Sequence, residues 1–247
     1  MDSAALKEGS AASAVAPLLA VRELNAWYGE SHVLHGLDID VFAGEVVTLL
    51  GRNGAGKTTT LKSIMGVIER RSGSIRYNGE ELIRLGSRFI ARKGISWCPE
   101  ERGVFASLDV EENLMLPPVV AAGGFSVEQI FELFPNLKER RRSQGTKLSG
   151  GEQQMLAIGR ILRTGSKLLL LDEPTEGLAP VIVQQIGQLI RKLKGMGYTI
   201  ILVEQNFHAA ATVADRHYIV EQGRVVDEIH NRDLDANLDK LHRYLGV

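Results

Sequence analysis

The sequence predicts an α/β domain built on a mostly parallel sheet, with a small antiparallel β layer near the N-terminus and a helical segment inserted in the middle. Three observations carry that reading. A short apolar run, Glu45 to Leu50, leads directly into a glycine-rich loop and then a stretch with helical spacing. Two later runs, Leu168 to Leu171 and Thr199 to Val203, are apolar throughout, as strands covered on both faces are. From about Pro99 to Thr164 the strand signals stop and capped helical patterns replace them.

The chain has 247 residues, 44% hydrophobic and 24% charged, enough for one large domain with a sizeable core. Met1 to Pro17 is small and polar with mixed charge. Its Ser10 to Val21 stretch superficially looks like a secretion signal, but Asp2 and Glu8 dilute the basic end and a strand pattern begins inside it, so 1–17 is expected to be a disordered tail. The remainder, 18–247, reads as one domain: 18–98 and 165–247 form the core with its β layer, and 99–164 a helical subdomain.

Leu18 to Asn25 is the first expected strand. In the second, Leu37, Ile39 and Val41 alternate with Asp38 and Asp40, the period-two pattern of a half-solvated antiparallel strand. Ser74 to Tyr77, ended by the Asn78-Gly79 turn, completes the small layer. Trp27 is expected to pack inward. After the glycine loop, Leu61, Ile64, Met65 and Ile68 recur at helical spacing. Asp109 with Glu112, and Ser126 with Gln129, are candidate helix caps, and Pro117-Pro118 and Gly123-Gly124 break the helices between them. Between the later apolar strands, Ile182, Gln185, Ile186, Leu189, Ile190 and Leu193 outline the core face of a helix. A hairpin, Tyr218 to Val226 around Gln222-Gly223, and a helix with Leu234, Leu238, Leu241 and Leu245 on one side close the fold. No internal repeat is apparent.

Charge and cysteine content exclude several functions. Twenty-nine basic and 30 acidic residues leave a formal net charge of −1, without the broad positive field of a nucleic-acid binder. The single Cys98, read as a buried strand residue, can form no internal disulfide and has no Cys/His cluster around it to hold zinc. No run reaches the ~18 apolar residues of a membrane span, so membrane association is expected through a partner.

The chemistry is concentrated in three segments. Gly51-Arg52-Asn53-Gly54-Ala55-Gly56-Lys57-Thr58, followed by Thr59, matches the phosphate loop G-x-x-x-x-G-K-[ST]. In that loop, bare backbone N–H groups at a helix start wrap phosphates, the lysine neutralises the β and γ phosphates, and the hydroxyl holds Mg²⁺. Asp172 ends an apolar strand, where an unpaired carboxylate is costly and a nearby cation explains it. Glu173 follows, positioned either as a helix-start carboxylate or as a catalytic group. Leu148 to Gln154 reads as an amphipathic helix capped by Ser149, but Gly150 and Gly151 leave its first N–H groups bare, which makes a second anion site.

That ordered trio resembles the ABC ATPase superfamily of P-loop NTPases over nearly the whole chain, from about Leu18. The resemblance implies an ATP- and Mg²⁺-dependent ATPase. Asp172 would hold Mg²⁺ with Thr58, Glu173 would polarise the attacking water, and Tyr28 would stack on adenine. Ser149, Gly150 and Gly151 would contact ATP bound to a partner subunit, so hydrolysis would couple to dimer closure. Three positions depart from the superfamily pattern: Glu100 replaces a Gln, Gln205 a His and Ala179 an Asp. Glu100 can still engage the Mg²⁺ shell or a water, and Gln205 can still donate a hydrogen bond but cannot become cationic.

With Cys98 to Phe105 and Val203 to Asn206, these departures look like the ATPase subunits of branched-chain amino-acid uptake systems, in which the same pattern is ordinary. The partners implied are a second ABC ATPase subunit, identical or paralogous, two integral-membrane permeases and, indirectly, an extracytoplasmic binding protein. No nucleic acid is expected, and the location implied is the cytoplasmic face of the inner membrane. The competing readings are an importer ATPase for urea, amides or other amino acids, a soluble non-transport ABC ATPase, and a phosphate-loop kinase, which leaves Leu148 to Gln154 unexplained. Arg140-Arg141-Arg142 reads as a solvated face, and His208 as an ordinary exposed or capping histidine.

Overall fold

The structure, a computed structural model, describes residues 15–246, so most of the tail expected over 1–17 lies outside the described residues. Two sheets organise them. A four-stranded antiparallel sheet has the order β2 (Ser31–Val41), β1 (Leu19–Tyr28), β4 (Arg71–Tyr77), β5 (Glu80–Glu81). A six-stranded sheet has the order β10 (Arg224–His230), β9 (Arg216–Glu221), β3 (Val46–Leu50), β8 (Thr199–Glu204), β7 (Leu168–Asp172), β6 (Ile95–Cys98). All its pairings are parallel except the β9–β10 hairpin.

Apart from Thr48, Asp172, Thr199 and Glu204, the central strands β3, β7 and β8 are apolar, because each face of the six-stranded sheet buries a different cluster. Val46, Leu169, Leu171, Ile200 and Leu202 pack into one core with the helices of 110–163 and 180–195. Val47, Leu49, Leu168, Leu170, Ile201 and Val203 pack into another with the antiparallel sheet. Each such fully buried side chain contributes about 1.5–3 kcal/mol. Cys98 is buried in β6, as its apolar surroundings predict, and burial pushes its thiol up to about 12.

Helix α1 (Lys57–Ile64) follows β3 directly after the glycine loop. Helix α2 (Ser87–Arg92) lies between β5 and β6. The stretch 99–164 holds α3 (Val110–Met115), α4 (Val127–Leu133), α5 (Pro135–Glu139) and α6 (Gly150–Arg163). The caps read from sequence bond reciprocally: Asp109 with Glu112 and Ser126 with Gln129 each form a complete capping box. The remaining helices are α7 (Pro180–Gly195), α8 (Phe207–Ala211) and α9 (Leu238–Leu245).

Several local expectations need correction. Helix α1 ends at Ile64, so Met65 and Ile68 are buried beyond its last turn rather than along its stripe. Gln185 is exposed, because an amide buried there would lack a partner, and the core face of α7 is carried by Ile182, partly buried, with Ile186, Leu189, Ile190 and Leu193. Leu234 is buried as expected but lies between two short 3-10 turns ahead of α9. Trp27 does not pack inward: its half-buried ring stacks on His32 at 4.4 Å, with the Arg70 guanidinium 5.2 Å away. The arginine run is solvent-facing, but Arg141 and Arg142 both pair with Glu111. Helices α2 and α8 were not foreseen, since one turn of apolar spacing is too little signal.

Candidate active site

The parallel strands β3, β7 and β8 deliver their C-terminal ends to one rim of the sheet, the usual ligand edge of an open α/β fold. From those ends extend the loop 51–56, Glu173 and Gln205. A cavity of about 330 Å³ lies between them, lined by Asn53, Gly54, Gly56, Lys57, Thr58 and Thr59, and by Glu100, Glu173, Glu176, Gln205 and Val33.

The loop is pinned from below. Ala55 accepts a hydrogen bond from the Gly223 N–H at 2.8 Å, tying the loop to the β9–β10 turn. A Cβ at Gly51 would stand 2.3 Å from the Val220 carbonyl oxygen, so the chain passes β9 there only as glycine. Buried Lys57 donates to the Gly51 and Arg52 carbonyls at 2.8 and 3.1 Å, which leaves one of its three N–H bonds free for an anion in the cavity. Its Nζ lies 3.7 Å from Glu173 Oε1. Burial lowers the Lys57 pKa, while the Glu173 and Asp172 carboxylates oppose that shift.

Asp172 is 1% exposed and accepts a 2.9 Å hydrogen bond from the Thr58 hydroxyl on Oδ1, while its buried Oδ2 has no partner. Burial first, then the Glu173 and Glu100 charges, push its carboxyl up to about 6 against the Thr58 hydrogen bond. An orphaned buried carboxylate oxygen beside a hydroxyl fits a divalent cation. No group of three or more His, Cys, Asp or Glu side chains is gathered for a metal among the described residues. Mg²⁺ suits such a site, since it takes one or two protein oxygens and fills its octahedron with waters and phosphates.

Glu173 has a backbone φ of 46°, a strained conformation for a non-glycine residue, and its N–H donates to Val203 O at 3.1 Å. Gln205 Nε2 donates to Glu173 Oε2 at 2.6 Å. Glu176 is also drawn to Glu173: their hydrogen bond first, then burial and the neighbouring charge, raise its pKa. Glu100 is exposed and lines the same cavity.

The loop residues, Glu100, Glu173 and Gln205 thus meet around one cavity, with Asp172 bonded beneath Thr58. Other expected residues do not join them. Tyr28 stands 47% exposed at the end of β1 and is not part of the lining, where Val33 is found instead. Ser149, Gly150 and Gly151 open α6 away from that lining, with Ser149 in a capping box with Glu152. Val33, Glu176 and the buried Glu204 were missed by sequence reasoning. Glu204 carried a usable signal, because like Asp172 it is a carboxylate closing an apolar strand.

The sequence profile of the ABC transporter family matches residues 34–176, more than half of the chain. This chain belongs to the ABC transporter ATP-binding family. The high-affinity branched-chain amino acid transport ATP-binding protein BraG of Pseudomonas aeruginosa is 47% identical over 238 residues, spanning 93% of this chain and 100% of that protein. The probable branched-chain amino acid transport ATP-binding protein LivF of Archaeoglobus fulgidus is 37% identical, over 84% of this chain and 90% of its own length. Among solved structures, an ATP-binding subunit of an ABC transporter superposes with a TM-score of 0.77 at 30% identity, covering 93% of this chain and 100% of that one. As an ABC ATPase the chain binds and hydrolyses ATP, and among its described residues no helix is long and apolar enough to cross a membrane.

Proposed function

We propose that this chain is the ATPase of an importer for branched-chain amino acids, working as half of a dimer beneath two permeases at the inner face of the membrane. The observation that carries the substrate is the likeness to BraG along that protein's full length. The domain would divide as its sequence reads, with 99–164 as the helical subdomain.

The lining of the cavity supports the following roles. Gly51 to Thr59 would wrap the phosphates with backbone N–H groups, and Lys57 would direct its free N–H at the β and γ oxygens. Three carboxylates and a single lysine line the cavity, so a polyphosphate there calls for a further cation. Thr58 and Asp172 would hold Mg²⁺, with Glu100 contacting its water shell, and such an ion would supply neutralisation of charge on the phosphates. Glu173 would accept a hydrogen bond from the attacking water. Gln205 uses one Nε2 hydrogen to orient Glu173 and would offer the other to the γ phosphate. Tyr28, free at the edge, would stack on adenine. Ser149, Gly150 and Gly151 stand outside the lining, which supports their use on ATP held by the opposite subunit, where closure excludes water.

Glu173→Gln tests the catalytic assignment. Removing the water's acceptor should lower turnover by at least about a hundredfold, while ATP, bound but uncleaved, drives a dimer visible by size-exclusion chromatography. Unchanged hydrolysis would remove Glu173 from its role. For the cargo, a strain lacking the chain should lose high-affinity leucine, isoleucine and valine uptake, and uptake at the wild-type rate would overturn that assignment.

A further inference from the structure

The last two residues of β8, Val203 and Glu204, and Gln205 just past it each hold part of the loop that carries Glu173. Val203 O accepts the Glu173 N–H at 3.1 Å. Glu204 Oε1 accepts the Thr175 hydroxyl at 2.7 Å. Gln205 Nε2 reaches the Glu173 carboxylate at 2.6 Å. The outer two act on Glu173 itself, whereas the middle one is a side-chain bond that ties the loop after it to the sheet.

That middle bond is costly for the fold. Glu204 is 4% exposed and closes a strand whose other residues are all buried, so a carboxyl there needs a compensating role. The loop also needs an anchor. Glu173 is held at φ 46°, and such a conformation persists only where its surroundings over-determine it. Two backbone bonds tighten the turn, Glu176 N–H to Glu173 O at 3.2 Å and Leu178 N–H to Thr175 O at 3.3 Å, but neither reaches the sheet.

We propose that Glu204 and Thr175 form a positioning pair that clamps the catalytic loop to the sheet and sets the Glu173–Gln205 contact. The inference rests on the catalytic reading of Glu173 but assigns two residues which that reading does not use. Neither touches the reacting atoms. Each acts through Glu173, and their pairing is hidden in the sequence because 29 residues separate them.

The test compares Thr175→Val, Glu204→Ala and their combination in the full-length chain. Each single change should lower kcat at least about tenfold while the KM for ATP stays within about twofold, since the phosphate loop is untouched. The combination should cost no more than either alone, because one bond is lost in every case. Thr175→Ser, which retains the hydroxyl, should recover kcat to within about threefold. Independently of turnover, the Gln205 side-chain amide resonances, identified by their loss in Gln205→Asn, should shift in Thr175→Val and return toward wild type in Thr175→Ser.

An unmoved Gln205 amide, additive losses in the double variant, or equal damage to KM and kcat would each overturn the pair. If Glu173→Gln abolishes turnover and Thr175→Val does not, the catalytic reading stands and only the clamp falls. If Glu173→Gln leaves turnover intact, the catalytic reading fails while the amide measurement still decides the clamp.

Discussion

Two carboxyl groups close neighbouring strands of the parallel sheet, and their surroundings give them different work. Asp172 keeps one buried oxygen without a partner, which suits a cation, whereas Glu204 spends its carboxyl on Thr175. Burial, against the Thr175 hydrogen bond, raises the Glu204 pKa from its ordinary 4.5 to about 7. The folded protein therefore holds a proton that the unfolded chain releases between those values. Stability must fall as pH climbs from about 4.5 to 7, and it stays lower above that window. At ~1.4 kcal/mol per pH unit the loss is on the order of 3–4 kcal/mol. Glu204→Gln removes the titration while retaining an acceptor for Thr175. Its stability relative to wild type, measured by urea unfolding, should be near zero at pH 5 and favour the glutamine variant by roughly 2 kcal/mol at pH 8. A gap that does not change with pH would show that Glu204 does not titrate in this range.

At the scale of elements, reciprocal side-chain chemistry was the most legible feature of the sequence. The boxes at Asp109 and Ser126 bond as their spacing predicts, and the expected cap at Ser149 extends to a full box with Glu152, because a cap depends on residues three apart and on nothing distant. The two glycines after Ser149 show the limit of that reading. Sequence accounts for both as bare helix-start N–H groups, yet packing separates them. A Cβ at Gly151 would come within 3.0–3.2 Å of three Ile182 side-chain atoms on α7, whereas one at Gly150 would meet mainly the Arg102 guanidinium at 3.3 Å. The first neighbour is held in a helix and the second ends a flexible side chain. Gly151→Ala should therefore destabilise the fold by about 1–3 kcal/mol through the α6–α7 contact, and Gly150→Ala by less than about 0.5 kcal/mol. Urea midpoints of the two variants check the difference, and equal costs would remove Ile182 as the cause.

Across the whole molecule, what sequence revealed was what a strand end carries, and what it hid was what distant strands share. Lys57, Glu173 and Gln205 were legible because each follows an apolar run, and parallel pairing then brings those ends to one rim. Arg216 gave no such signal, although it joins the two sheets. On β9, 7% exposed, it donates to Glu45 beside β3 at 2.5 and 3.0 Å and to Glu228 on β10 at 2.5 Å. It also reaches the Asp40 carbonyl on β2 at 2.6 Å, and so bridges to the antiparallel layer. Glu45 lies 171 positions away in sequence, too far for any local pattern to register. Burial opposes the Arg216 charge, but the hydrogen bonds to Glu45 and Glu228 outweigh it and raise its pKa. Removing the guanidinium alone would strand Glu45, whose side chain is 12% exposed. Arg216→Met should therefore cost about 3–5 kcal/mol. Adding Glu45→Gln and Glu228→Gln neutralises the stranded charges and should recover at least half of that loss, since a buried ion network is worth less than the penalty of breaking it on one side. Chemical denaturation of wild type, Arg216→Met, the Glu45→Gln/Glu228→Gln double variant and the triple variant decides the point: losses that simply add would mean that the arginine holds the sheets together by packing, with its carboxylates as bystanders.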